Sequence, residues 1–97
     1  MSLKIEKKNT QILALAGRLD TATASMLEAE ISALLPAAQS LTLDMEKVEY
    51  ISSACLRVIL KTQKTLEKKE GLKLTRVPGA VKEVFDITGF SDFLTIV

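Results

Sequence analysis

Leu41-Thr42-Leu43-Asp44-Met45-Glu46-Lys47-Val48-Glu49-Tyr50-Ile51-Ser52-Ser53-Ala54-Cys55-Leu56-Arg57-Val58-Ile59-Leu60 contains the two patterns from which the rest of the chain can be read. Residues 41–44 are short, apolar and bounded by polar residues, which predicts a strand. Ser52 or Ser53 then opens a long helix, expected to run to about Lys69 and to stop at Gly71 acting as its C-terminal cap. At about 100° per residue, Cys55, Leu56, Ile59, Leu60, Gln63 and Leu66 share one broad face, expected to be the packed one. Arg57, Lys61, Lys64 and Lys68 stack within roughly 60° on the opposite face.

Working outward, the same strand-then-helix order occurs on both sides. Upstream, residues 3–6 alternate apolar and polar like a half-buried edge strand, and Lys8-Asn9-Thr10 forms a turn in which Asn tolerates positive φ. Residues 12–16 are nearly all apolar and predict a more deeply buried strand, closed by Gly17-Arg18-Leu19-Asp20. Thr21 or Thr23 can cap the next helix, whose Ala24, Leu27, Ile31 and Leu34 fall at helical spacing before Pro36 ends it. A helix between two strands makes a βαβ unit with parallel strands and a right-handed crossover. Downstream, residues 72–77 predict a further strand and Pro78-Gly79 a turn. A third helix carries Val81, Val84, Phe85 and Thr88 and ends at Gly89. Phe90, Phe93 and Leu94 are expected to fold back onto the core, with residues 95–97 as a terminal strand. The reading is one α/β domain over residues 1–97, a single mixed sheet with βαβ crossover helices.

Composition narrows the chemistry. The chain has 97 residues, enough for one core that buries roughly 60–65% of the unfolded surface. It contains no His, which excludes Ser-His and Cys-His nucleophile pairs and His-ligated metal. One Cys forms no internal disulfide, in keeping with a reducing cytoplasm. A net charge of +1 and 4% aromatic residues give neither a global drive toward nucleic acid nor base-stacking platforms. No signal peptide is visible, and no apolar run approaches the roughly 20 residues of a membrane span. No phosphate-loop sequence or other cofactor motif occurs. The charge is nonetheless polarised: residues 57–76 hold seven basic and two acidic side chains, residues 20–49 six acidic and one basic.

Four groups of side chains invite a functional reading. Ser53 lies about 40° from Arg57 on the helix wheel, at the start of the basic row. A phosphate there would sit at a helix N-terminus, where unpaired N–H groups and partial positive charge tolerate an anion; capping is the simpler role for both Ser52 and Ser53. Cys55 is close enough to the helix start for its pKa to be depressed, but it lies on the apolar face, where a thiol is ordinarily buried and inert. It also lacks the Cys-then-Arg spacing of a phosphate-binding catalytic loop. Asp44 and Glu46 read as solvated strand-end carboxylates and not as acid–base machinery. Asp20 either caps the first helix or stands beside Ser53 across the sheet end.

The stretch from Asp44 to Leu60 resembles the signature of the STAS domain family, the bacterial anti-sigma factor antagonists. Gly17-Arg18-Leu19-Asp20 resembles that family's Gly-x-hydrophobic-Asp element, and Val84-Phe85-Asp86-Ile87-Thr88-Gly89-Phe90 its Thr-Gly-Phe segment. The resemblance implies a protein that is not an enzyme and that switches partners. Unphosphorylated, such a protein binds an anti-sigma factor, often a serine kinase. Phosphorylation at the start of the second helix abolishes that binding, and a serine phosphatase restores it. The family's Asp-Ser-Ser/Ala-Gly-Leu pattern puts the acceptor at Ser53, within a partner-binding surface of Asp20, Thr21, Ser52, Ser53, Ala54, Arg57 and Lys61. Two positions depart from the pattern. Ser52 replaces Asp, adding a second candidate hydroxyl, and Cys55 replaces Gly, adding a side chain near the partner's approach. The alternative role that the family implies is a constitutive interaction subunit of a stress-signalling scaffold or membrane transporter complex.

Overall fold

The computed structural model describes residues 3–9, 11–92 and 94–97. Five strands form one sheet: β1 (Leu3–Lys7), β2 (Ile12–Leu19), β3 (Ser40–Ile51), β4 (Gly71–Thr75) and β5 (Thr95–Ile96). Three helices, α1 (Thr21–Leu34), α2 (Ser53–Leu66) and α3 (Gly79–Thr88), connect the last four strands. The strand order is that of the sequence, with β1 antiparallel to β2 and every later pair parallel. Each crossover steps in the same direction, so right-handed connections bring all three helices to one face.

That one-sidedness explains the burial pattern. Leu13, Leu15, Leu41, Leu43, Met45, Leu72 and Leu74 alternate along their strands, and all are buried in one cluster with Leu27, Ile31, Ile59, Val81 and Phe85 from the helices. The intervening residues face the bare side. The buried strands therefore alternate like those of a sheet packed on one face, and residues 12–16 are not covered on both faces as their composition suggested.

The hairpin between β1 and β2 is held by Lys8 N–H donating to the Ile12 carbonyl at 2.9 Å. Asn9 contributes through its side chain, which accepts from Gln11 N–H at 2.7 Å, and not through a left-handed backbone. Thr10 in the predicted turn and Phe93 in the predicted fold-back lie outside the described residues. Leu94 is buried and Phe90 packs against the core as expected.

Two strands outrun their predicted lengths. β2 continues through Gly17 and Arg18 to Leu19, because the ladder absorbs irregularities between Ala14 and Ala16 and between Gly17 and Arg18. Gly17 has φ 103°, a bulge conformation that glycine adopts without strain. β3 does not end at Asp44 but runs to Ile51. Its buried residues are Leu41, Leu43, Met45, Val48 and Ile51, so the spacing passes from two to three where β3 follows the bulged β2. Asp44 and Glu46 are thus inside the strand. Arg76, at the end of β4, hydrogen-bonds Asp44 through Nε at 3.2 Å and also through its terminal nitrogen, and reaches Glu46 at 3.2 Å.

The packed face of α2 is rotated from the expected one. Val58 and Thr62 are buried with Cys55, Leu56, Ile59 and Leu66, whereas Leu60 and Gln63 are only half-buried. The cause is α1, which packs alongside and covers Val58 and Thr62. Helix α2 ends at Leu66, five residues before Gly71, whose positive φ of 93° instead opens β4. Helix α3 ends at Gly89, φ 80°, as its sequence predicts.

Candidate docking surface at the helix starts

Parallel strands β2 and β3 deliver both of their helices at the same end of the sheet. Ser52 N–H donates to the Leu19 carbonyl at 2.7 Å, extending the ladder one step beyond the strands and setting the starts of α1 and α2 side by side. Asp20, and not Thr21 or Thr23, is the N-cap of α1. Its carboxylate accepts from Thr23 N–H at 3.0 Å, while Asp20 N–H donates to the Thr23 hydroxyl at 2.9 Å, a reciprocal capping box. The Thr23 hydroxyl donates onward to the Arg18 carbonyl at 2.9 Å, which ties the cap to the strand. Thr21, next in the chain, is exposed.

At α2 the two serines separate into different roles. Ser52 is the N-cap, only 9% exposed, and its Oγ accepts from Cys55 N–H at 3.4 Å. Ser53 is the first helical residue and its side chain is exposed. An acceptor hydroxyl must leave the protein surface to meet a γ-phosphate. Ser53 satisfies that requirement as it stands, whereas Ser52 meets it only by giving up its cap.

Cys55 resolves differently from what a Gly-to-Cys change at a docking surface suggests. Its side chain turns inward, is fully buried, and donates to the Asp20 carbonyl at 3.4 Å. The added atoms therefore link the two helix starts from beneath and do not project toward a partner. Burial pushes the thiol pKa up; hydrogen bonds with Ser52 and Thr23 oppose this and the Asp20 charge adds to it. That shift is opposite to what a nucleophilic cysteine requires.

Ala54 is half-buried beside Ser53, and Arg57 and Lys61 follow on the exposed side of α2. Lys61 is paired with Glu28 of α1 at 3.2 Å, so part of the basic row serves to join the two helices. Among the described residues, Arg57, Lys64 and Lys68 have no ion-pair partner and continue the positive row away from Ser53. All seven expected surface residues thus lie on the paired helix starts or the first three turns of α2. One flanking pair escaped the sequence reading. Arg18 and Tyr50 sit opposite each other on β2 and β3, the guanidinium 4.5 Å from the ring centroid. The signal was hidden because both residues fell in segments read as loop.

A one-sided α/β module whose helix starts present an exposed serine is a binding module in form. Residues 4–96 match the family described as Mlab, STAS domain. BtrV of Bordetella bronchiseptica, named as an anti-sigma factor antagonist, is 39% identical over 93 residues, covering 93% of this chain and 80% of that protein. The anti-sigma-B factor antagonist of Bacillus subtilis is 31% identical over 83 residues, covering 84% and 76%. Among solved structures, an anti-sigma factor antagonist from Mycobacterium paratuberculosis superposes with a TM-score of 0.83 at 23% identity, covering 97% of this chain and 82% of that one. Unphosphorylated SpoIIAA gives 0.77 at 19% identity, covering 98% and 87%. The phosphorylated form of Bacillus SpoIIAA gives 0.70 at 18%, covering 98% and 90%. The chain belongs to the STAS domain family of anti-sigma factor antagonists. It is a regulator that acts by binding and not an enzyme.

Proposed function

We propose that residues 1–97 act as one partner-switching domain in the cytoplasm. Unphosphorylated, the chain binds an anti-sigma factor that is itself a serine kinase, over the surface of Asp20, Thr21, Ser52, Ser53, Ala54, Arg57 and Lys61. Phosphorylation of Ser53 ends that binding and a serine phosphatase restores it. The observation that carries this reading is the division of labour at α2, with Ser53 exposed and uncommitted while Ser52 is spent on the cap.

The physical mechanism is local. A partner lying flat on the helix starts desolvates one serine hydroxyl at small cost, since one hydrogen bond satisfies it. Phosphorylation adds a charge of about −1.5 to −2, which a docked surface accommodates only with dedicated cations. A penalty of about 3 kcal/mol weakens binding roughly a hundredfold. The chain itself has no need to rearrange. On the free protein the phosphate sits at the positive end of α2 beside Arg57, and the neutral Ser52 spares it the repulsion that an Asp cap would bring.

The test has two parts. Trypsin releases residues 48–57 as one peptide carrying both serines, so fragmentation localises any phosphate; it is expected on Ser53, in amounts that vary with growth and stress. Ser53→Ala should bind the anti-sigma factor and resist phosphorylation, while Ser53→Asp should bind more weakly. Equal affinity of the two variants would contradict the surface. A well-detected peptide that carries no phosphate under any condition would favour the constitutive STAS subunit, the reading to which the Ser-for-Asp change at position 52 lends support.

A further inference from the structure

Arg18 and Tyr50 form a built feature that the Ser53 mechanism leaves unused. They are register partners on β2 and β3, and their neighbours Leu19 and Ile51 are buried in the core. Strand alternation therefore turns both side chains to the helix-free face. Each stands two residues before a cap: Arg18 before Asp20, Tyr50 before Ser52. The stack thus borders the paired helix starts and continues their surface around the end of the sheet.

Tyr50 is 43% exposed, one of three large apolar residues so placed among the described residues. The Arg18 guanidinium lies over it at 4.5 Å from the centroid. Its nearest carboxylate is Asp20, whose Oδ2 forms an ion pair with Nε at 3.8 Å, too long for a hydrogen bond, while Oδ1 serves the α1 cap. Stacking fixes the plane of the guanidinium while its N–H edge has no acceptor among the described residues. A planar fork held by its flat face and free along its edge suits a carboxylate taken by two parallel hydrogen bonds. Tyr and Arg are also the residue types that most often carry binding energy at protein interfaces, where a surrounding rim excludes water.

We propose that the Arg18–Tyr50 stack is an anchor for the protein that docks over Ser53: the guanidinium takes an Asp or Glu carboxylate of that partner, and the partner's apolar atoms cover the Tyr50 ring. The proposal rests on the Ser53 docking reading and extends it by naming the partner's chemistry at this point. Continuity selects this occupant over a second copy of the chain: the stack stands two residues before both caps and so lies on the margin of the surface that carries Ser53.

Tyr50 is the single tyrosine of the sequence, so uniform 3-fluorotyrosine labelling gives one fluorine resonance that reports on this ring alone. The probe is the anti-sigma factor that co-purifies with the wild-type chain, itself purified and left unlabelled. Titrating it in should shift or broaden the resonance, while raising the concentration of the labelled chain alone should not. Tyr50→Ala and Arg18→Glu should each raise Kd by roughly tenfold or more, with thermal unfolding unchanged. Arg18→Lys should recover only part of the loss, and reversing the contacting carboxylate on the partner to Arg should rescue Arg18→Glu. An unmoved resonance at saturating partner overturns the anchor, as does wild-type affinity in both variants while Ser53→Asp still fails to bind; either result leaves the Ser53 reading standing. Wild-type affinity in Ser53→Asp removes that reading and the anchor with it. A shift produced by the chain alone assigns the surface to a second copy and overturns the proposal.

Discussion

In the proposed reading, a hydroxyl becomes a switch through its place in the first helical turn. Ser52 and Ser53 are chemically identical neighbours, yet one is buried as an N-cap and the other is exposed. Ser52→Ala removes the cap acceptor and should cost about 1 kcal/mol of folding stability, read as a lower midpoint in urea denaturation. The same variant should still be phosphorylated at Ser53. Loss of phosphorylation with an intact fold would show instead that Ser52 is the acceptor. Much at this scale was legible in the sequence. The Ser-Ser pair and the basic row were visible, because caps and helix faces depend on local spacing, while the α1 cap was left open among Asp20, Thr21 and Thr23. The orientation of Cys55 was only half legible. The wheel put it on the apolar side, but its bond to the Asp20 carbonyl depends on two helix starts distant in sequence meeting at one sheet end.

At the scale of elements, β3 shows why legibility fails. Residues 41–44 alternate cleanly, but from Met45 onward the buried positions are three apart, and a period of two no longer finds them. The bulged partner strand causes that change, and bulges are tertiary features with weak local signals. Because β3 was cut short, both the Arg76 clamp and the Arg18–Tyr50 stack were hidden. The clamp joins β3 to β4 through Asp44, whose side chain is only 13% exposed. Burial pushes the Asp44 carboxyl up, but hydrogen bonds from Arg76 and from Glu46 N–H, with the Arg76 charge, outweigh it and hold it below its ordinary value of 3.8. A carboxyl depressed in the folded state contributes stability that is present above the unfolded value and lost as pH falls through the folded one. The clamp should therefore stabilise the protein at neutral pH and fade below about pH 4. Asp44→Asn should cost about 1 kcal/mol at pH 7, since Arg76 is largely in water, and should flatten the acid limb of stability against pH. An unchanged acid limb in that variant would show that other carboxylates govern acid unfolding.

For the molecule as a whole, a single-faced sheet with one continuous core leaves the helix starts as a fixed platform. The core cluster draws on β1, β2, β3 and β4 and on all three helices. Such packing resists graded deformation, so in the proposed reading a phosphate at the surface of α2 would act on the partner and not on the fold. Fold class was legible from alternating strand and helix patterns alone, because each βαβ unit is local and the crossover rule leaves few arrangements. The charge polarity was legible too, but its use was not: the exposed Lys61–Glu28 bridge uses part of it to span α1 and α2 at the surface.

The central claim is that a phosphate on Ser53, with the fold otherwise unchanged, decides whether the anti-sigma partner binds. Isothermal titration of that partner with the unphosphorylated chain and with chain homogeneously phosphorylated on Ser53 tests it most directly. The account predicts tight binding by the first and an affinity lower by roughly a hundredfold for the second, with identical far-ultraviolet circular dichroism. Equal affinities would contradict it.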